Sequence, residues 1–408
     1  MSRTPQNHHI AELTASADRS GEPSWALHGI EQIEAEASLN LLGHTDLVES
    51  AARLVTEIGD QKNQRKHYVL ALAGQPSQGA DTVPDGLPTI PVVEPEPTGN
   101  PADVLGYGTL IMPLRDNLHL AESYVRIRSD CAGRGLGTAL WHHISSFDGA
   151  AGRTSLMTWT EHPVVGDDNG DVLVPPTGFG RIPPDRSTRF VERLGFRLEQ
   201  AERHSQLSLP IDPQRLRHWR ADAQARAGED YRLLSWQGRT PADLVDRMAE
   251  LHRRMSIDVP QAGLDLEEEA WDAERVHDGD DQAISARQTL FWTVAEHVPT
   301  GQLTAYTGLE VPQDRVGFAY QGDTLVHGDH RGHRLGMLVK AANLQQLTAL
   351  RPAVQRVHTW NAGENAYMLA INEELDFRPT SYEAIWQLRR HPAHPGAVTS
   401  SAVTSTAG

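Results

Sequence analysis

The residues best suited to chemistry lie in Thr324-Leu-Val-His-Gly-Asp-His-Arg-Gly-His-Arg-Leu-Gly336, which runs at once into Met337-Leu-Val-Lys-Ala-Ala-Asn-Leu-Gln-Gln-Leu347. An apolar, β-branched run gives way to a basic turn containing glycine, and Leu335, Leu338, Val339 and Ala342 then follow at helical spacing. The pattern predicts strand, loop, helix. At such a junction the first N–H groups of the helix have no partner within it, and the positive end of the helix dipole stands behind them. That is a place for an anion. Arg331, His333 and Arg334 add charge suited to phosphate, and Gly332 and Gly336 let a backbone come close.

A second stretch, Tyr124-Val-Arg-Ile-Arg-Ser-Asp-Cys-Ala-Gly-Arg-Gly-Leu-Gly-Thr-Ala-Leu140, has the same form. Its turn carries Gly133, Arg134, Gly135 and Gly137 after a strand ending near Ile127. The agreement extends beyond the loops. Tyr107 precedes Gly137 by 30 residues and Tyr306 precedes Gly336 by 30, with Pro113 and Pro312 each six residues after the Tyr. Leu194-Gly-Phe-Arg197 pairs with Leu375-Asp-Phe-Arg378, followed by Gln206 and Gln387. One unit is used twice. From loop to Phe the first copy takes 59 residues and the second 41, which places an 18-residue insertion within residues 162–184 of the first.

Both stretches resemble the pyrophosphate loop of the GNAT superfamily of N-acetyltransferases. That pattern is Arg or Gln, two residues, Gly, one residue, then Gly or Ala, after a strand ending Val-x-Pro. In the second copy Val326, Arg331 and Gly336 match, while Gly328 replaces the Pro and Arg334 the middle Gly. In the first, Gly135 and Gly137 match and Ala132 replaces the Arg or Gln. The resemblance implies an α/β protein of two tandem GNAT domains, each a mixed central sheet flanked by helices. It implies acetyl-CoA as acyl donor, no metal, and a small-molecule amine as acceptor. Transfer of another acyl or aminoacyl group, or a non-catalytic CoA-binding module, are the rival readings.

By the same resemblance, backbone near Leu325, Val326 and His327 bonds the pantetheine arm and polarises the acyl carbonyl, and loop N–H groups from Gly332 to Gly336 hold the pyrophosphate. Asn361 lies on the second splayed strand, and Asn365 matches an Asn that faces the cofactor; as a helix N-terminal polar residue it also suits a cap. An alkyl amine with a pKa near ~10.4 is mostly protonated at neutral pH, so a base must take a proton. Glu310 and Asp258 are the candidates, set against a solvated-surface reading for each. The family's usual acid, a Tyr, is replaced at the matching positions by Val191 and Asn372; Tyr367 is the substitute. The second copy, with its Arg331 and Asn365, is favoured as the catalytic one.

Composition bounds the rest. A net charge of −17, from 37 basic and 54 acidic residues, argues against a nucleic-acid partner and suits a cationic acceptor. The single cysteine, Cys131, forms no internal disulfide, which fits a reducing cytoplasm; it fills a turn more simply than it attacks a thioester. No apolar run approaches a membrane span and no signal-peptide core is evident, so no membrane partner is expected. Monomer and homodimer both remain open. His327, His330 and His333 recur every third residue, but a loop curled around phosphate turns such side chains apart, so no metal is assigned. Asp167-Asp-Asn-Gly-Asp171 suggests a turn rather than a calcium loop.

The elements that must position these residues follow from periodicity. Residues 1–24 and 391–408 are polar and expected to be disordered tails. Between them, residues 25–210 form the first GNAT unit, 211–229 a linker in which Arg215–Arg226 has helical character, and 230–390 the second. Helices are expected over Ile30–Leu42, Leu47–Ile58, Thr138–Ser146, Pro241–Met255 and Glu364–Glu374. Strands are expected at His67–Ala73, Val104–Met112, Thr154–Trp159, Tyr231–Trp236, Gln302–Leu309, Arg315–Val326, Arg356–Trp360 and Ile385–Arg389.

Overall fold

The computed structural model describes residues 7–15, 22–76, 81–83, 86–96, 98–166 and 170–390. The first half runs β1 (His8–Thr14), β2 (Glu22–Pro23), α1 (Trp25–Leu42), α2 (Ala51–Gly59), β3 (Gln64–Ala73), β4 (Thr89–Pro91), β5 (Val93–Glu94), β6 (Val104–Pro113), β7 (Leu120–Ile127), α3 (Leu136–Ala150), β8 (Ser155–Pro163), α4 (Arg186–Arg193) and β9 (Arg197–Ser208). After α5 (Pro213–Ala227), the second runs β10 (Tyr231–Gln237), α6 (Val245–Asp258), α7 (Ala273–Ser285), β11 (Gln288–His297), β12 (Gln302–Pro312), β13 (Phe318–Val326), α8 (Leu335–Leu350), β14 (Arg356–Ala362), α9 (Ala366–Glu374) and β15 (Arg378–Arg389). Helix ends carry local signals. Asp185 forms a capping box with Thr188 at α4, Asp212 precedes Pro213 at α5, and Gly43 closes α1 in the left-handed region.

Thirteen strands form one mixed sheet in the order β10-β11-β12-β13-β14-β9-β15-β8-β7-β6-β3-β1-β4. The last strand of each half therefore lies in the other half's territory. β9 is hydrogen-bonded to β14 on one side and β15 on the other, and β15 pairs with β8 from Ser381–Pro163 to Arg389–Ser155. One face of the sheet is covered by α3, α5 and α8, through clusters that include Leu140, Trp141, Trp219 and Leu344. The other is covered by α1, α2, α6 and α7.

Loops also cross the seam in both directions. Asp46, after α1, binds Arg356 and accepts the Tyr320 hydroxyl at its carbonyl, while Arg315 reaches the carbonyls of Thr45 and Val48. From the second half, Arg275 pairs with Asp116, Asp272 with Arg115 and Asp278 with Lys62.

Two expectations change. Residues 1–24 were expected to be disordered, but His8–Thr14 is a strand paired with β3, with Ala11 and Leu13 buried against α1. Its seven residues are too few, amid polar neighbours, to show periodicity in the sequence. β11 was not anticipated; Trp292 and Thr293 interrupt its alternation, yet Phe291, Val294 and Ala295 are fully buried. The linker is mostly the helix α5, docked on α8 through Leu216, Trp219 and Ala223. Residues 167–169 of the calcium-like segment and the tail 391–408 lie outside the described residues. Among the described residues no helix is long and apolar enough to cross a membrane.

Candidate functional site

β7 and β8 run parallel and bond only through Leu120–Ser155, Ala121–Leu156 and Glu122–Met157. Beyond these the strands part, and a cavity of about 810 Å³ occupies the gap. Its walls are Ser123–Ile127 of β7 and Thr158–Glu161 of β8; its floor includes Trp141 and Phe196, and one end opens at Ala132, Gly133, Gly135 and Gly137. Among the described residues no part of the segment 162–184, which holds the insertion, lines it. Gly133 (φ 80°) and Gly135 (φ 86°) occupy the left-handed region, where a side chain would be strained. Gly135 and Thr138 are exposed at the start of α3, so the first N–H groups of that helix face the cavity mouth. Arg186, Arg189 and Arg193 of α4 line the same end. Cys131 is buried, and burial pushes its thiol up, away from nucleophilic character.

The second junction repeats the backbone but not the opening. β13 and β14 also pair through three residues only, Phe318–Arg356 to Tyr320–His358. Here Arg334 takes the left-handed position (φ 56°), its guanidinium bonded to Glu374 at 2.6 Å and 3.9 Å from Asp222 of α5. Leu335, Gly336, Met337 and Leu338 are all buried, and Met337 joins α5 in one hydrophobic cluster. Lys340, at the place of Trp141, is fully buried, and burial lowers its ammonium to about 7. Leu325 and His327 are buried and Val326 half-buried; Gly332 and His333 are exposed. Arg331 is exposed beside Asp258, whose carboxylate is 4.0 Å away. His330 bonds the Tyr231 hydroxyl at 2.8 Å and His333 packs near the same ring, so the loop histidines point toward β10. Asn361 accepts from the buried Asn372 at 2.6 Å, and Asn365 caps α9 by accepting from Met368 N–H at 3.2 Å.

No family model and no curated relative matches the sequence. Solved structures do match. A tandem GNAT protein from the clavulanic acid biosynthesis pathway superposes with a TM-score of 0.64 at 20% identity, over 95% of this chain and 100% of that one. The chain has the tandem GNAT fold. A GCN5-related N-acetyltransferase from Sphaerobacter thermophilus follows at TM-score 0.54 and 13% identity, over 94% of this chain and 95% of that one. A GCN5-related glucosamine N-acetyltransferase region of a fungal multidomain β-N-acetylglucosaminidase gives 0.55 and 11%, over 94% of this chain and 38% of that one.

Within this GNAT frame the three side chains assigned to proton transfer are dispersed. Asp258 ends α6 beside the second loop. Glu310 is at the far end of β12, opposite Tyr320; burial raises its carboxyl and Arg53 of α2 opposes that. Tyr367 is 87% exposed on the first turn of α9.

The strand exchange assembles a different group. Glu161 on β8 is directly opposite Glu383 on β15, and Glu383 is opposite Glu202 on β9. Three like charges side by side are unfavourable. Burial, then Glu202 and Glu161, raise Glu383 to about 8; burial, then Glu364 and Asp323, raise Glu202 to about 7. Glu161 lines the cavity and pairs with Arg126, which also binds Glu34 at 2.7 Å. Stacked Tyr124 and Trp159 (5.2 Å) lie beside the row, with Trp360 stacked on His204 (4.5 Å) beyond it. Sequence reasoning missed these carboxylates. The one available signal was the repeat, which puts Trp159 and Trp360 each fifth in its strand, in the parts that diverge.

Proposed function

We propose that the protein is an acyl-CoA-dependent N-acyltransferase, using acetyl-CoA, whose donor site is the gap between β7 and β8 of the first half and whose acceptor is a small cationic amine. The cavity between the parted strands carries this reading. Its glycine turn and helix N-terminus suit a pyrophosphate, and Arg186, Arg189 and Arg193 suit the remaining phosphate charge. The parted strand β7 leaves backbone groups near Val125 and Ile127 to polarise a thioester carbonyl. The acceptor approaches along the carboxylates and aromatic rings, which favour a cation. A carboxylate raised toward neutral pH takes a proton from the ammonium. The free amine attacks the acyl carbon, the C–N bond forms as the C–S bond breaks, coenzyme A leaves as thiolate, and the proton that the new amide nitrogen sheds goes to that thiolate. A fold neighbour from a small-molecule biosynthetic pathway agrees with such an acceptor.

The test is a calorimetric titration with acetyl-CoA, followed by thiol detection of released coenzyme A with diamines, polyamines and amino sugars. One site per chain, with turnover on polycationic amines, is expected. Absence of acetyl-CoA binding overturns the donor assignment, and binding without turnover on any amine overturns the transferase reading in favour of a CoA-binding module.

A further inference from the structure

At the seam, on residues that do not line the cavity, His44 and Asp46 of the loop after α1 meet His358 of β14. One ligand atom from each lies within 4.8 Å of the other two. Asp46 Oδ2 is 3.1 Å from His358 Nε2 and 3.7 Å from His44 Nδ1. Ligands at zinc distances of ~2.0–2.1 Å in a tetrahedron stand about 3.4 Å apart, so little movement is needed to close around an ion.

The surrounding hydrogen bonds fix the His44 tautomer and permit the one that His358 needs. His44 Nε2 is 3.2 Å from Gln206 Oε1, an acceptor only, so Nε2 carries the hydrogen and Nδ1 turns its lone pair toward Asp46, accepting a long bond from its N–H (3.4 Å) with the carboxylate at 3.7 Å. His358 Nδ1 is 3.1 Å from His204 Nε2, and His204 Nδ1 is 2.8 Å from Ser381 Oγ. With an ion bound, His204 donates to Ser381 or to Thr380 Oγ1 at 2.9 Å, His358 donates to His204, and Nε2 presents a lone pair in place of the hydrogen it shares with Asp46. That arrangement, a ligating imidazole oriented through its other nitrogen, is the one that metal sites use. A proton on His358 Nε2 serves one contact with Asp46 and leaves His44 Nδ1 with a long bond from Asp46 N–H; a cation engages both imidazoles and the carboxylate at once. Arg356, bonded to Asp46 by Nε (2.5 Å) and Nη2 (2.9 Å), keeps the carboxylate ionised and its plane fixed. Its positive charge opposes a second cation, which favours an ion held by strong imidazole bonds over calcium or magnesium.

We propose that His44, Asp46 and His358 bind a zinc ion, with water in the fourth position, clamping the α1–α2 loop of the first half to the sheet of the second. His358 is fully buried, while the His44 side chain is 19% exposed and gives the ion its way in.

The full chain, stripped with a chelator and desalted, is titrated with zinc chloride; bound zinc is counted by mass spectrometry and the thermal midpoint is followed. One zinc per chain is expected, with a rise in midpoint of about 5 °C at saturating zinc. His44→Gln, at a partly exposed position, and His358→Gln lose the zinc and the rise, whereas His333→Gln, on the second loop, keeps both. Circular dichroism checks that each variant is folded, and His44→Gln decides the matter if the buried variant is not. Failure of the wild-type chain to retain zinc, or retention by folded His44→Gln, overturns the proposal and leaves the cluster an ion-pair network between the halves.

Discussion

The two loop–helix junctions have nearly the same backbone and opposite surroundings. Gly135 (φ 86°, ψ −6°) and Arg334 (φ 56°, ψ 23°) hold the same left-handed position ahead of α3 and α8. At the first, a glycine meets that requirement freely and the helix start is exposed. At the second, an arginine meets it under strain, bonded to Glu374, while α5 covers the helix start. α5 occurs once in the chain because it joins the halves, and it packs on α8 rather than α3. A turn of phosphate-suited residues can therefore lie open or be packed over, and contacts from distant elements decide which.

The largest expected effect tests that asymmetry. Gly135→Glu puts a strained, negatively charged residue at the first junction and should weaken acetyl-CoA binding by roughly 100-fold or more, whereas Arg331→Glu should cost less than about threefold. Calorimetry distinguishes them, and equal losses would place donors at both junctions. Next in size, Glu383→Gln, on the strand that the second half lends to the first, should lower kcat by roughly 10- to 100-fold and remove the pH-dependent limb near neutrality, with acetyl-CoA affinity unchanged. Glu310→Gln and Asp258→Asn should stay within about twofold. A reversed order would move proton transfer into the second half.

A smaller effect concerns stability. Glu383 at about 8 and Glu202 at about 7 hold protons that glutamates near 4.5 in the unfolded chain release. Folding therefore binds protons between these values, and the contribution, complete below about 4.5, is lost as pH rises through 7 to 8. The double variant Glu202→Gln/Glu383→Gln should show a thermal midpoint that falls less than the wild type's between pH 5 and pH 8.5; parallel curves would mean that the row is not proton-linked. Smallest is Arg334→Gly. Relief of about 1 kcal/mol of backbone strain is offset by loss of half-exposed ion pairs worth at most about 1 kcal/mol. Denaturant midpoints should hardly change and acetyl-CoA stoichiometry should stay at one. A second site appearing in this variant would show that the arginine, not α5, closes the junction.

Both loops were legible because phosphate chemistry leaves local marks: glycines, basic residues, and a strand-to-helix change of period within a dozen positions. The repeat was legible for the same reason, since Tyr107 and Tyr306 keep their spacing to the loops. Asn365 was readable as a cap from its place before a helix. The row of Glu161, Glu202 and Glu383 was not readable, because these residues are neighbours only through cross-strand register. Nor was the coverage of α8, because Leu216 and Trp219 look like any apolar pair on a linker helix.

The sequence alone determined that the chain holds two copies of an α/β unit, each with a strand, an anion-suited turn and a helix, because those features depend on residues close together in the chain. The tertiary structure decided which turn lies open, which carboxylates face one another and how the halves are joined. Those outcomes depend on β9 and β15 changing places and on a single linker helix choosing one partner. Such long-range pairings are settled by the packing of whole surfaces, which no short run of residues records.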